Sequence, residues 1–299
     1  MAQNILTASV IAREAITTLY NNAVMANLVY RGVEDTFGAE VLGHKVGETV
    51  NIRKPATFEA KSFTGTIDKQ DVTEASIPVV VDRHEDVSFE VSTKELAMEV
   101  SQFSQRFISP ATEALAQKVD IDLLGLRGDV TQTATWDGTE PWNTVIDART
   151  VLNKAAVPLT QRRAVWGSDH EGGILKSGRF TKANETGDNG TRFENAQIGR
   201  AGGFDHFLDQ NADDNSDESG ADVAGQSVLF HPWAFCLATV PLENIDDALD
   251  AAVVSFNGLT IRVVRDYDIS SKATIVSLDI LYGVKTLDNT RAVIVDEIS

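Results

Sequence analysis

The sequence predicts an α+β fold in which strands and a separate mixed lobe are built on one long helix. Three features support this prediction. An apolar stripe of helical period covers residues 92–126, alternating strand patterns precede it, and helix and strand patterns alternate between residues 140 and 265. A chain of 299 residues, 42% of them apolar, can bury a substantial core, and we expect two lobes.

The long helix is predicted to begin with a capping box, Ser92 and Glu95, in which each side chain satisfies a free backbone N–H group. Apolar side chains then recur at spacings of three and four, which places them on one helical face. They are Leu96, Val100, Phe103, Phe107, Ala111, Leu115, Val119 and Leu123. A continuous helix of this length would extend for about 50 Å, and we interpret it as a spine that carries the other elements.

Pro110 lies inside the predicted spine, where it lacks an N–H group and collides with the preceding turn. Two interpretations stay open. Either the helix kinks at Pro110, or Ser109 caps a second helix whose first residue is Pro110.

The chain before the spine contains two kinds of pattern. Residues 5–30 predict a helix or a helical pair whose apolar residues wind around the axis, so that it needs a partner to dock against. Alternation at residues 43–55 predicts a strand, residues 56–76 form a long polar excursion, and strand patterns return within residues 77–91. These segments predict a projecting β arm next to the spine.

After the spine, Gly125 and Gly128 end the helical pattern. Helices are predicted at 144–154, after Ser168 and at 243–252, and strands at 162–166, after the glycine-rich turn of 198–204, at 260–264, 274–284 and 292–295. We expect the final strands to pack beside the spine.

The charge balance is acidic, with 44 Asp and Glu against 26 Lys and Arg and a net charge of −18. This argues against a dedicated nucleic-acid-binding protein, which would carry a basic face. Residues 209–222 are predicted to be a solvated acidic loop. An EF-hand is excluded there because Asp214 and Gly220 occupy positions that require glycine and glutamate. Looser cation binding stays open.

Catalytic patterns are scarce. The adjacent residues Ser168, Asp169 and His170 include the residue types of a triad, but we interpret Ser168 or Asp169 as a helix cap. The group Asp82, His84, Glu85 and Asp86 is interpreted as a solvated strand end rather than a metal site. The single cysteine, Cys236, is predicted to be a buried, inert thiol. No apolar run could span a membrane and no signal peptide is apparent, so we expect synthesis in the cytoplasm.

A terminal helix that needs a partner, a long arm, a spine and a separate lobe together predict a self-assembling subunit. Five segments also resemble a known family in their order and spacing. They are TVNIRKP, FEVSTKEL, ISPATEALAQKVDIDLL, IGRAGGF and ILYGVKTLDNTRAV. With these segments, most of the chain resembles the major capsid proteins of tailed bacteriophages, closest to the branch typified by the coat protein of the short-tailed Salmonella phage.

The resemblance implies the tailed-phage capsid fold. Its parts would be an N-terminal arm (1–45), an extended loop (46–80), a peripheral domain (81–135 with 266–299) and an axial domain (136–265). The extended loop would reach over a neighbouring subunit. Its contact residues would be Phe58, Lys61, Phe63, Ile67 and Lys69. No motif identifies a reaction partner for Lys61 or Lys69, so no crosslink is predicted.

The function implied by the resemblance is an icosahedral shell of pentamers and hexamers around double-stranded DNA, without an enzyme activity or a cofactor. A scaffolding protein and a portal are the implied partners, and assembly would occur in the host cytoplasm. This chain is too short for the insertion domain of the typifying coat protein. An acidic axial loop is expected near that site, where symmetry would concentrate charge. Its residues are Asp209, Asp213, Asp214, Asp217, Glu218 and Asp222.

Two alternatives stay open. One keeps the fold and is an encapsulin-type compartment around cargo protein. The other is a soluble hydrolase that uses Ser168, Asp169 or His170.

Overall fold

The computed structural model describes residues 7–31, 48–53, 76–91, 103–177, 198–213, 227–242, 250–270 and 273–296. These residues form helices and strands, and the strands make two large sheets and one small one. The predicted mixture of helices and strands is therefore present. Leu96 and Val100 of the predicted stripe lie outside the described residues.

The larger body is an antiparallel sheet packed against helices. Its strands follow the order β10-β11-β12-β3, and β9 also pairs with β12. Their bounds are β3 Arg83–Val91, β9 Phe235–Val240, β10 Asp250–Phe256, β11 Leu259–Asp268 and β12 Ala273–Thr286. The prediction of a helix over 243–252 is wrong at its end, because residues 250–252 pair with β11 as a strand.

The N-terminal segment packs on this sheet inside its own chain. It contains α1 (Ala8–Asn22) and α2 (Met25–Leu28). The prediction that its apolar residues wind around the axis is wrong, because α1 buries one face at helical spacing. The buried residues of that face are Ala8, Ile11, Ala12, Ala15, Ile16 and Leu19. This face lies against the spine, β10 and β11, so α1 finds its docking partner in the same subunit.

The spine is helical on both sides of Pro110, and the expected kink there stays a prediction. A π-helical turn, Ser104–Ile108, leads directly into α3 (Ser109–Gly125). Ser109 has helical backbone angles (φ −59°, ψ −51°), so it is not an N-cap, and the second-helix interpretation is wrong. The wider π turn is where the helix accommodates a residue that has no N–H group to donate.

We expect Pro110→Ala to change the path of the spine with little change in stability. Alanine restores an N–H donor, which favours an ordinary α turn in place of the π turn and rotates Phe103 relative to Leu115. Pro110 itself is exposed, so no core packing is lost. The check is microscopy of shells assembled from the variant, where altered shell geometry or maturation is expected. Shells that match and mature like the parent would show that the π turn is incidental.

The second large sheet has six strands in the order β4-β13-β8-β5-β7-β6. Their bounds are β4 Thr133–Thr135, β5 Arg163–Trp166, β6 Arg200–Ala201, β7 Phe204–Leu208, β8 Ser227–Phe230 and β13 Ala292–Asp296. Two helices, α4 (Pro141–Lys154) and α5 (Ser168–Lys176), belong to this lobe. A second core forms here around Trp166, Leu152 and Phe204.

The two sheets exchange segments of the chain, which the sequence did not predict. Strands β9 and β10 and most of β11 lie in the expected axial range but join the sheet of β3 and β12. Conversely, β13 lies in the expected peripheral range but joins the α4 lobe. The expectation that the final strands pack beside the spine therefore holds for β12, which contacts α3, and fails for β13.

The small sheet is the base of the predicted arm. Strands β1 (Glu48–Arg53) and β2 (Ser76–Val81) pair antiparallel, with Glu48 opposite Val81 and Arg53 opposite Ser76. The strand patterns on both sides of the polar excursion are thus confirmed.

Candidate assembly surfaces and the joint between the lobes

The base of the arm is fixed in the core of the subunit. Val50, Ile52, Val79 and Val81 are buried, and they cluster with apolar residues of β9 and β12. The five expected contact residues of the extended loop all lie between residues 54 and 75, outside the described residues. The structure shows that residues 53 and 76, on either side of that segment, belong to a pair of strands anchored in the core.

At Gly283 the backbone of β2 passes close to β12. A Cβ atom at residue 283 would lie 2.9 Å from the carbonyl carbon of Val80, 3.0 Å from the Cα of Val81, and closer still to the Val80 oxygen. Real Cβ atoms essentially never approach backbone this closely. Glycine is therefore required at this crossing.

Cys236 lies in the same cluster and is fully buried. Burial raises the pKa of its thiol to about 12, so the reactive thiolate is not populated near neutral pH. The prediction of a buried, inert thiol is confirmed.

The spine residues that the structure describes are core residues of one subunit. Phe103, Leu115, Val119 and Leu123 are at most 2% exposed. Phe107 is half-buried and stacks on Phe89 of β3, with ring centroids 5.7 Å apart. The predicted stripe is confirmed over this part, and its role is to hold the sheet.

The spine also buries a charged network that sequence reasoning missed. Asp122 is 3% exposed, and three side chains converge on its carboxylate. The Tyr282 hydroxyl donates to Oδ2 at 2.5 Å, Lys118 Nζ donates to Oδ1 at 3.0 Å, and Arg83 Nη1 lies 2.5 Å from Oδ2. Burial alone would raise the pKa of Asp122, but these three donors hold that pKa below its ordinary value. The network ties α3 to β12 and β3.

A second buried carboxylate on the spine, Asp120, holds the N-terminal segment. Its oxygens accept the backbone N–H groups of Val24 at 2.7 Å and Ala26 at 2.9 Å, at the start of α2. Burial raises the pKa of Asp120 to about 7, and the nearby charge of Asp209 adds to this, while the backbone donors act in the opposite direction.

Asp209 corrects the prediction of a solvated acidic loop. It is 2% exposed and follows β7, with its Oδ1 accepting from the backbone and side-chain amides of Asn211, each at 3.0 Å. Asp213 ends the 3-10 turn Gln210–Asp213. The other four acids of the expected axial loop, Asp214, Asp217, Glu218 and Asp222, lie outside the described residues.

The sequence did not predict the burial of Asp120 and Asp122, because acidic residues between apolar ones are expected on the solvent side of a helix. The available signal was local. Both stand in the run VDIDLL (residues 119–124), where apolar residues flank each acid and no polar face is left. The buried residues of α3 accordingly lie around most of its circumference.

The candidate triad is not assembled. Ser168 is exposed at the first residue of α5, whereas His170 is buried and its Nδ1 lies 2.7 Å from the hydroxyl of Ser227. Gly167 occupies the N-cap position, so the cap interpretation of Ser168 or Asp169 is also wrong. His170 packs against Trp136, with ring centroids 4.4 Å apart, inside the second core.

Three of the exposed apolar side chains in the described part of the chain lie at one end of the sheet of β3 and β9 to β12. Ile269, in the turn between β11 and β12, is 82% exposed, and Tyr267 and Ile275 beside it are 47% and 40% exposed. The side chain of Ile269, the most exposed of the three, is a candidate for contact with another protein surface. Within the described residues no helix is long and apolar enough to cross a membrane.

The described residues define a structural class: a subunit with a strand pair anchored in the core, a buried helix that carries a sheet, and a separate lobe, as in the capsid proteins of tailed phages. Three solved structures share its fold. A chain from Mycobacterium phage Che8 has 19% identity and a TM-score of 0.61, covering 91% of this chain and 90% of that one. The mature capsid of bacteriophage PhiM1 has 14% identity and a TM-score of 0.57, covering 93% and 87%. A virus-like particle from Pyrococcus furiosus has 12% identity and a TM-score of 0.51, covering 96% and 98%.

The sequence identifies the family within this class. Residues 1–228 match the family described as "P22 coat protein - gene protein 5", and the chain belongs to this family. No curated protein sequence matches the chain. The predicted resemblance and the predicted capsid fold are confirmed. The chain is a phage major capsid protein of an icosahedral shell, and its location is the virion.

Proposed function

We propose that this subunit assembles into the hexamers and pentamers of a shell that encloses double-stranded phage DNA. The observation that carries the proposal is the match of its fold to a mature phage capsid over 93% of this chain and 87% of the other. A scaffolding protein and a portal would assist assembly in the host cytoplasm, and the subunit would have no catalytic role. A net charge of −18 fits a wall that encloses DNA without binding it tightly, because each contact between a basic side chain and a phosphate would increase the affinity for DNA.

In this proposal the extended loop, residues 46–80, covers a neighbouring subunit. The pair of strands β1 and β2 supports this proposal, because it anchors both ends of the loop in the core of its own subunit. Phe58, Lys61, Phe63, Ile67 and Lys69 would make the contacts. The acids at residues 213–222 would lie at an axial tip, where salt or divalent cations would offset their repulsion. Asp209 has no part in that tip, since it is buried.

An encapsulin-type compartment has the same type of fold and encloses protein instead of DNA. It is the weaker candidate because the sequence matches a phage coat protein family. Negative-stain microscopy of the protein expressed with and without a scaffolding protein tests the proposal. Uniform polyhedral shells are expected, and a compact monomer under all salt and protein concentrations would overturn it.

We expect Ile269→Ser to reduce shell assembly several-fold while leaving the melting temperature of the free subunit unchanged. The side chain is 82% exposed, so serine removes apolar contact area only from an interface with another copy. The measurement is the assembled fraction by sedimentation beside the melting curve. Leu159→Ser is the matched control, since Leu159 is 60% exposed in the other lobe. An equal loss in both variants would assign the effect to general surface hydrophobicity instead.

A further inference from the structure

A short stretch of the N-terminal segment, residues 24–30, is bonded to three separate parts of the subunit. The spine holds its first end, because the carboxylate of Asp120 accepts two of its backbone N–H groups. The larger sheet holds its last end through β9. There the Tyr30 N–H group donates to the carbonyl of Phe235 at 3.1 Å, and the Tyr30 carbonyl accepts from the N–H group of Leu237 at 3.1 Å. These two attachments fix the stretch, with α2 inside it, to the spine and the larger sheet.

The third attachment comes from the α4 lobe. Arg163 of β5 is half-buried, and its Nη1 donates to the carbonyl of Leu28 and lies 3.5 Å from the carbonyl oxygen of Asn27. Both carbonyls belong to the last turn of α2, where a helix supplies no N–H donors of its own. A hydrogen bond from a charged donor is stronger than one between neutral groups. The guanidinium of one lobe therefore satisfies the end of a helix that is anchored in the other.

The α4 lobe also contacts the larger body through apolar side chains. Strands β5, β8 and β13 contribute residues to the same buried cluster as the spine and α1. Apolar contact has no preferred direction, so packed elements can shift past one another by small sliding movements. A hydrogen bond requires that donor and acceptor stay aligned. The bonds of Arg163 can therefore select one position of the lobe where the apolar contact allows several.

Arg127 makes a further polar link, but its place in the chain is different. It donates to the carbonyl of Ala212 at 3.1 Å, and it lies directly after the spine, where the backbone itself passes into the α4 lobe. Its bond therefore restrains a junction that the covalent chain already restrains. Arg163 instead joins two residues that are 135 positions apart in the sequence.

We propose that residues 24–30 are a latch that sets the position of the α4 lobe relative to the spine, and that Arg163 is the positioning residue by which the lobe engages this latch. The side-chain amide of Asn27 donates to the carbonyls of Tyr20 at 2.7 Å and Ala23 at 2.6 Å, which links α2 to the end of α1. A shift of the lobe thus requires that Arg163 release its carbonyls or that both N-terminal helices move with it. The latch is a property of the single subunit, and only its effect on shells rests on the proposed function.

The distance between two spin labels on the free subunit tests the proposal. One label is placed at Ala114 on the exposed side of α3 and the other at Lys154, at the exposed end of α4. The native thiol of Cys236 is buried and does not compete for the label. The parent should give one narrow distance distribution, and Arg163→Gln should broaden or shift it. Arg149→Gln is the matched control, because Arg149 donates to a carbonyl of its own lobe at 2.9 Å and should leave the distribution unchanged.

Amide hydrogen exchange provides a second measurement. Protection of residues 26–30 should fall about tenfold or more in Arg163→Gln, as expected when a hydrogen bond to a charged group is lost. The central amides of α3 should keep the protection that they have in the parent. Arg163→Lys keeps the charge but not the planar group, so its effect should be intermediate. The lysine variant also serves as the test if Arg163→Gln does not fold.

The outcomes separate a latch from a general contribution to stability. An unchanged distance distribution in Arg163→Gln would overturn the proposal, and so would an equal change in Arg149→Gln or a uniform loss of protection along the whole chain. In assembly reactions, Arg163→Gln should produce shells of mixed diameter where the parent produces one. Because the spin labels report on the free subunit, failure of the parent to form shells would count against the proposed function and leave the latch in place.

Discussion

Gly283→Ala should yield a subunit that is destabilised by about 3 kcal/mol or more and forms no regular shells. Overpacked positions typically cost 1–3 kcal/mol when neighbours can adjust. Here the new methyl group meets backbone of Val80 and Val81, which cannot rotate away as a side chain can. To relieve the contact, β2 must move off β12. That movement opens the cluster of Val79, Cys236 and Leu281 and releases the base of the arm.

The measurement is a denaturant unfolding curve of the free subunit, followed by microscopy of assembly reactions. Gly125→Ala is a matched control, because a Cβ atom at residue 125 meets nothing within 4 Å. Gly125 ends α3 with helical backbone angles, so alanine there should be neutral or stabilising by up to about 1 kcal/mol. If Gly283→Ala has the same free energy of unfolding as the parent, β2 and β12 lie further apart in solution than they do in the structure.

Asp122→Ala should have an effect of similar size. It should lower the free energy of unfolding by about 3 to 5 kcal/mol, as is typical when one member of a buried charge network is removed. The substitution leaves the Tyr282 hydroxyl and the Arg83 guanidinium without the carboxylate that satisfies them. It also removes the bonds that link α3 to β12 and β3, three elements that contribute residues to the larger core.

The pH dependence provides a second check on Asp122. Its folded-state pKa is held below the ordinary value of 3.8, so the carboxylate stabilises the subunit above about pH 4 and this contribution is lost as pH falls further. The Asp122→Ala variant should lack that acid-induced loss. Asp137→Ala is the control, because Asp137 also has a lowered pKa but is bonded only near the surface, to Thr139, Glu140 and Asn143. If Asp122→Ala costs no more than Asp137→Ala, Asp122 does not link the spine to the sheet.

Asp120 and Asp122 show how neighbouring carboxylates on one helix respond to pH in opposite directions. Asp122 faces cationic and hydroxyl donors, so its ionised form is favoured, whereas Asp120 faces backbone amides and the acid Asp209. Asp122 therefore keeps its charge until the pH is low, whereas the pKa of Asp120, about 7, favours uptake of a proton at mildly acidic pH.

Much of the local structure could be predicted because its signals are local. The apolar spacing of Phe103 to Leu123 predicted the buried face of the spine, and alternation at Val50 and Ile52 predicted a strand. The glycine-rich turn before Phe204 is confirmed, since Gly202 and Gly203 have the positive φ angles that glycine tolerates. The order of the five segments, taken together, was sufficient to identify the family.

By itself, then, the sequence determined the periodic elements and the class of protein, because side-chain spacing and turn residues act within a few positions of the chain. Only the tertiary structure decided which strands share a sheet, that α1 docks inside its own subunit and that Asp209 is buried. Residues far apart in sequence set these features. The apolar stripe predicted the spine helix, but it did not predict that this helix also buries Asp120 and Asp122. The partners of those two acids come from elements up to 160 positions away in the sequence. They are Val24, Ala26, Arg83 and Tyr282.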